Sequence, residues 1–407
     1  MAYDQTTFAS LLKVMYPDKE VARLSANDHA LLGLIPKDPS IEGSTYNKAT
    51  IYSTPLSSAS FAVAQTNANQ SKHVQWAMSV KDHFSIANIA GKTIAMSRTQ
   101  AGAFKQAVKE AMNAAYESLG KRAGQLLYGD GNGWIGRFVV GQDLTNNTVI
   151  TLRDPDSVTF FEVGQRLCFS DGAGGTLRDT GQVVVVTAVD RAAGTVTLDT
   201  DLDEIASINE ADYIVPEGDN AAVLSGLAAW VPDAAPAATA FFGIDRTADS
   251  RLGGLRINAT TKGYGVEESL IEAALLIARE GGKPTHCFMN YSVFGKLQKE
   301  VGSKLTYAPA TGSMGTAKIG YDAFDLITPK GLVKIVPDAD CPGSRFYMGP
   351  LATLSLDSGG KFPDVLNEDG QTLRAVSDAN SYQVRLGGYP QMSCTAPGHW
   401  CVVHTIP

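Results

Sequence analysis

The stretch "YGDGNGWIG", Tyr128–Gly136, decides how the chain is read. Gly131, Gly133 and Gly136 fit the spacing G-x-G-x-x-G, which in a dinucleotide-binding unit lets the backbone close on a pyrophosphate. That chemistry needs a strand before the glycines and a helix after them. Here the order is reversed. Upstream, Phe104, Val108, Ala111, Ala115, Leu119 and Leu126 fall on one helical stripe, with Lys105, Lys109, Asn113, Glu117 and Lys121 opposite. Downstream, "RFVVGQD" has no helical period. The glycines therefore turn the chain after a helix of roughly 30 residues, about 45 Å long. The residues expected to bury that helix are Phe104, Val108, Ala111, Ala115 and Leu119. Ser97 with Gln100 reads as a capping box at its start. So long a helix predicts a flat or elongated domain around it.

Upstream of the helix the period changes to two. In "SKHVQWAMSVK", Val74, Trp76, Met78 and Val80 alternate with polar residues, and in "SASFAVAQ" so do Phe61 and Val63. With the polar turn "TNANQ" between them, these segments predict a long β-hairpin. An isolated hairpin is marginal and needs a surface to cover its apolar face. Phe61, Val63, Trp76, Met78 and Val80 are accordingly the candidate contacts to a neighbouring subunit. Residues 1–40 read as an arm, with a short helix from Thr7 to Met15 stopped by Pro17.

Downstream, short apolar runs ("NTVITL", "QRLCFS", "GQVVVVTAV", "GTVTLD", "ADYIVPEG") separated by Gly- and Asp-rich turns predict a small barrel or sandwich over 138–219. The charge of the chain is concentrated there. Of 42 acidic and 34 basic residues, 15 and 4 lie in 138–219, a net −11, which leaves the remainder at +3. Beyond it, "VEESLIEAALLIARE" predicts a helix with Leu270, Ile271, Ala274, Leu275 and Ala278 on its apolar side. "THCFMN" predicts a short strand, and Asn290 a cap for the helix "YSVFGKLQKEV". Strands return from Ile319 onward.

Composition excludes several classes. The chain has 407 residues, 44% hydrophobic and 19% charged, enough for two or three packed units. The low charge suggests a surface partly covered by partners. No apolar run approaches the roughly 18 residues of a membrane span, and the N-terminus shows no secretion signal. The five cysteines (Cys168, Cys287, Cys341, Cys394, Cys401) are odd in number and scattered, as expected of buried reduced thiols. No G-x-S-x-G, C-x-x-C, H-E-x-x-H or Walker loop occurs, so no catalytic residue and no cofactor is assigned. The six histidines are dispersed. One ion candidate exists: Asp199, Asp201, Asp203 and Glu210 occupy positions 1, 3, 5 and 12 of a calcium loop, with Glu204 where glycine is required.

The order of these parts resembles a tailed-bacteriophage major capsid protein with the Hong Kong 97 fold. "YGDGNGWIGRF" resembles the turn after that family's spine helix. "GGKPTHCFMNYSVFGKLQKEVGSKL" resembles its central-domain strand and helix. "GLVKIVPDADCPGSRFYMGPLATLSL" and "YQVRLGGYPQMSCTAPGHWCVV" resemble its closing strands. No single motif is specific; the order of all of them is.

The resemblance implies an α+β fold: arm (1–40), extended β-hairpin (41–92), spine helix and glycine turn of a peripheral domain (93–137), inserted all-β domain (138–219), linking strands (220–264), axial domain (265–370) and returning strands (371–407). It implies a shell subunit without catalysis, packed as pentamers and hexamers around viral DNA in a virion assembled in a bacterial cytoplasm. The partners implied are other copies of the chain, scaffolding and portal proteins, non-specifically touched DNA and a decoration protein. Some relatives crosslink subunits through Lys and Asn, but no residue here is identified for that. Two other readings stand beside it: an encapsulin-like compartment shell, and a carbohydrate-binding or hydrolytic β protein with 138–219 as its binding module.

Overall fold

The computed structural model describes residues 29–55, 57–68, 72–91, 101–302, 324–367, 370–376 and 379–406, with the backbone alone at 101–110, 302 and 324. The helix expected at Thr7–Met15, the capping pair Ser97 and Gln100, and the side chains of Phe104 and Val108 lie outside the described residues.

In chain order the first elements are α1 (Ala30–Leu34), β1 (Lys37–Asp38), β2 (Thr45–Ser53), α2 (Phe61–Thr66), β3 (Lys72–Ser79), β4 (His83–Ala90) and α3 (Ala101–Tyr128). Short strands follow: β5 (Gly136–Arg137), β6 (Val149–Thr151), β7 (Arg166–Ser170), β8 (Val184–Asp190), β9 (Thr195–Leu198) and β10 (Tyr213–Pro216). Next come α4 (Leu227–Trp230), β11 (Leu255–Asn258), α5 (Ala259–Lys262), α6 (Val266–Arg279), β12 (His286–Met289) and α7 (Tyr291–Gly302). The chain closes with β13 (Phe324–Thr328), β14 (Gly331–Pro337), β15 (Arg345–Gly349), β16 (Leu354–Ser358), β17 (Asp364–Val365), β18 (Arg374–Ala375), β19 (Ser381–Gly388), β20 (Pro390–Cys394) and β21 (Cys401–His404).

Three hydrophobic cores organise these elements. The first surrounds α3. Its 28 residues span about 42 Å. Met112, Ala115, Leu119, Ala123 and Leu126 are buried, and the helix lies against β4 and β19. These two strands pair antiparallel over eight residues, from Ser381 opposite Ala90 to Gly388 opposite His83. Ala115 and Leu119 thus occupy the face assigned to them, and Ala111 packs on the same core, half-buried. Gly124 answers a close approach: a Cβ there would come within 2.1 Å of Asp340 Oδ2. After Tyr128 the chain turns through Gly131 and Gly133, both at positive φ. The Asp130 carboxylate accepts hydrogen bonds from Asn132 N, Asn132 Nδ2 and Trp134 Nε1. The glycine-rich stretch is a turn held by its own aspartate, followed by strand β5.

The second core belongs to β5–β10. Their sheet runs β5-β10-β7-β8-β9-β6. The chain just past β5 then reaches the far edge: Phe138 bridges Leu152, Val139 N donates to Thr151 O at 2.9 Å, and Arg153 N donates to Arg137 O at 2.9 Å. The sheet closes on itself as a small barrel and leaves no open edge. Phe138, Phe161, Phe169, Val184, Val196 and Ile214 fill it, separate from the other two cores. Its entry and exit are adjacent, because Gly136 pairs with Ile214 and Ala221 N donates to Asn132 O at 3.2 Å.

The third core lies between α6, α7 and one face of the sheet β11-β21-β15-β12-β14-β13. Asn290 caps α7 through Oδ1 to Ser292 N at 3.0 Å and ties it to the Cys341 carbonyl through Nδ2 at 2.6 Å. This sheet is a wall between two cores: Cys287, Met289, Phe346 and Met348 face the helices, while Phe288, Tyr347 and Val402 face the α3 core.

Several sequence expectations need correction. Phe61 and Val63 are in helix α2, not in a strand; Ser60 precedes an Ala-rich turn whose local preference is helical. The strand that pairs with β3 is β2, from Thr45 to Ser53. The sheet over 265–370 is also not contiguous in sequence: it recruits β11 and β21, while β16 leaves it to pair with β1 and β20. In the 220–264 segment, described as linking strands, β11 is joined by the short helices α4 and α5. On α6, Leu270 and Ala274 are buried with Val266, Ala273 and Ile277, whereas Ile271 and Leu275 face outward.

Candidate assembly surface

The β2–β3 hairpin has two ends of opposite character. Its pairing runs from Thr45 opposite Ser79 to Ser53 opposite Lys72, with a bulge after Ile51. Nine residues of β2 give a ribbon about 30 Å long. Among the described residues it forms a sheet of two strands joined to no other.

The root is fixed to the body. Trp76 and Met78 are 0% exposed. Trp76 meets Trp230 edge-on at 5.1 Å and Phe241 at 6.2 Å, and its Nε1 donates to Thr50 Oγ1 at 3.0 Å. The alternating inward residues of β2 add polar ties. Tyr46 OH donates to Asp357 Oδ2 at 2.8 Å, and Lys48 Nζ lies 2.7 Å from the same oxygen. Lys48 Nζ also donates to Asp357 Oδ1 and Ser393 Oγ, each at 2.8 Å. Asp357 is buried, so the Lys48 charge meets its need for a counter-ion. Burial and this carboxylate push the Tyr46 phenol well above its usual range.

Among the described residues, the far end is uncovered. Residues 57–63 are exposed throughout, and no residue of α2 is buried. Phe61 is 83% exposed and Val63 and Ile51 lie open beside the turn. A phenylalanine in this position forgoes about 1.5–3 kcal/mol that burial would supply. The candidates read from sequence therefore divide. Trp76 and Met78 are core residues of their own chain, Val80 is half-buried near the root, and Phe61 and Val63 are exposed among the described residues. Ile51 was missed because it sits in a stretch, "NKATIYS", that carries no apolar alternation to mark it.

A second junction joins the start of the described chain to the body. His29 Nδ1 is 2.6 Å from Asp340 Oδ2. Asp338 Oδ2 accepts from Leu31 N at 3.0 Å and from Tyr128 OH at 2.8 Å. Burial, opposed by His29, raises the Asp340 carboxyl to about 6. "PDADCPG" gave no sign of this, since its partners are about 210 and 310 residues away in sequence.

The remaining chemical candidates do not come together. Asp199 Oδ1 accepts from Val185 N and Thr200 Oγ1, and Glu210 Oε2 accepts from Gly141 N. Asp201 and Asp203 lie at a short 3-10 turn. No group of three acidic, histidine or cysteine ligands forms among the described residues, so the calcium-loop reading fails. Strands and a 3-10 turn replace the helices that such a loop needs, and Glu204 blocks its glycine position. The five cysteines are buried and unbridged. No helix among the described residues is long and apolar enough to cross a membrane.

No protein-family model and no curated protein matches the chain. Among solved structures it is similar to the cyanophage A-1(L) capsid asymmetric unit, at TM-score 0.57 and 13% identity, with 93% of each chain covered. Mycobacterium phage Ogopogo follows at TM-score 0.46 and 9% identity, covering 93% of this chain and 92% of that one. A virus-like particle from Pyrococcus furiosus follows at TM-score 0.42 and 10% identity, covering 94% and 96%. The first of these carries the assignment. The chain has the fold of a phage capsid subunit, the fold its order of parts resembles.

Proposed function

We propose that this chain is the major capsid protein of a tailed bacteriophage. It associates with itself as pentamers and hexamers to close an icosahedral shell around viral DNA, without catalysing a reaction. The observation that carries this is the hairpin: its root is anchored in the body and, among the described residues, nothing covers its apolar tip. A neighbouring subunit is the partner that such a projection fits. The likeness to the cyanophage capsid supports the same reading.

In this reading β2–β3 is the extended loop, α3 the spine of the peripheral domain, and the sheet with α6 and α7 the axial domain. The barrel is an insertion into that plan. With net −11 over 138–219, it faces away from packaged DNA, because salt screens phosphate repulsion only beyond about 8 Å. On the outer surface it keeps particles apart by like charge and offers a seat for a decoration protein. Scaffolding and portal proteins act during assembly in the host cytoplasm.

Expression of the full chain, with electron microscopy and nuclease-resistant nucleic acid measured in infected-cell particles, tests this. Icosahedral shells holding DNA are expected. Shells filled with an enzyme would point to a compartment, and a monomer at all concentrations would contradict the proposal.

A further inference from the structure

Among the described residues, helix α6 and the hairpin β13–β14 each leave an apolar pair uncovered, on opposite faces of the same layer. On α6 the outward stripe reads Glu268, Ile271, Glu272, Leu275 and Arg279, spaced as neighbours on one helical face. Ile271 and Leu275 are 44% and 45% exposed. On β13–β14, Ile327 stands directly opposite Leu332 in the register. They are 86% and 52% exposed. Leu326 and Val333 point from the same strands into the core under α6 and α7. Strand alternation therefore turns Ile327 and Leu332 to the reverse side of the sheet.

The two patches carry opposite charge. The helix patch is flanked by Glu268 and Glu272, while Arg279 is drawn to Glu280 at 3.5 Å. The hairpin patch is flanked by the exposed Lys330 and Lys334. Lys283 lies beside the turn, its Cε 3.4 Å from where a Gly331 Cβ would stand. Against these three lysines stands Asp325, cross-strand from Lys334.

We infer that the hairpin patch of one copy docks on the α6 patch of the next. Ile327 and Leu332 seat against Ile271 and Leu275, and Lys330 and Lys334 meet Glu268 and Glu272. The occupant is a second copy because the two complementary patches are carried by one chain yet face away from each other, so neither can satisfy the other within it. Contact between unlike patches on the front and back of one layer is head-to-tail, and a head-to-tail contact repeats, closing a ring when its rotation allows and running on as a filament when it does not. Matched charges fix its register and exclude hairpin-to-hairpin or helix-to-helix pairing. This rests on the shell-forming reading and specifies which surfaces meet around the capsomer.

Charge reversal with rescue tests it. Glu268→Lys with Glu272→Lys reverses the helix patch, and Lys330→Glu with Lys334→Glu reverses the hairpin patch. Each pair should leave a soluble subunit that melts with the wild type but reduce particle yield about tenfold or more. The four changes together should restore particles. A second readout needs no assembly defect: Leu275→Cys with Ile327→Cys, oxidised in assembled particles, should give a ladder of covalent multimers on a denaturing gel.

Wild-type particles together with normal assembly of either reversed pair, or no rescue in the fourfold variant, overturn the pairing and leave the shell reading standing. Absence of the ladder also overturns it. Absence of wild-type particles overturns both.

Discussion

The barrel and the extended hairpin are both built from short β-strands, yet they solve the same problem in opposite ways. The barrel closes its sheet through the Phe138–Leu152 bridge and fills the inside with its own aromatic and branched side chains. The hairpin has two strands and open edges, and it draws its buried residues, Trp76 and Met78, into the core around α3. Beyond Ser53, among the described residues, the turn and α2 bury nothing. One element is complete within the chain; the other is buried at its root and, among the described residues, exposed at its tip. The difference lies in closure, since both sequences show β alternation and turn residues.

Excision gives the largest contrast. Residues 134–219 expressed alone should fold to a strand-rich monomer with a cooperative melt, because entry and exit already pair through Gly136 and Ile214. A peptide of residues 44–80 should show no cooperative transition. Circular dichroism of the two separates these outcomes, and an unfolded barrel fragment would break the comparison.

Trp76→Ala comes next. Loss of an indole that touches Trp230 and Phe241 should cost the free subunit about 3–5 kcal/mol, measured by denaturant unfolding. A loss under about 1 kcal/mol would mean that the root is not anchored as described.

The smallest effect concerns pH at the Asp340 junction. Its carboxyl, raised by burial to about 6 despite His29 and the charge of Lys121, and pushed the same way by Asp338, stands above its unfolded value of 3.8. Between these values the folded state holds a proton that the unfolded chain releases. The contribution of Asp340 to stability is therefore greatest below about pH 4 and is lost as pH rises through 6. The stability of the wild type relative to Asp340→Asn should fall across that window, read from paired melts. A constant difference from pH 4 to 7 would show that the pair is not linked to folding.

Much of the fold was legible because period and turn chemistry are local. The stripe through Ala115 and Leu119 and the aspartate-held glycine turn marked α3 and its end. The cap at Asn290 and the spacing of the barrel strands were equally plain. What escaped was set by distance or by local preference. Ser60 and the alanines around Val63 favour a helical turn, which overrode the alternation read at Phe61 and Val63. The apolar side of α6 was assigned to Ile271 and Leu275 as well as Leu270 and Ala274; hydrophobicity alone does not say which of two adjacent stripes meets the sheet. The ties of Lys48 to Asp357 and of His29 to Asp340 join residues about 310 positions apart, and no local pattern announces them. Of the candidate assembly surface, strand β3 was visible in the sequence, but its partner β2 and the division between a buried root and an exposed tip were not.

The central claim is that the tip of the hairpin serves a neighbour and not its own chain. Phe61→Asp tests it most directly, with subunit melting and particle yield measured on the same preparation. Phe61 touches no core, so the account predicts a melting temperature within about 2 °C of the wild type and few or no closed shells in electron micrographs. Normal shells in normal yield would contradict it, and so would a subunit that unfolds several degrees earlier.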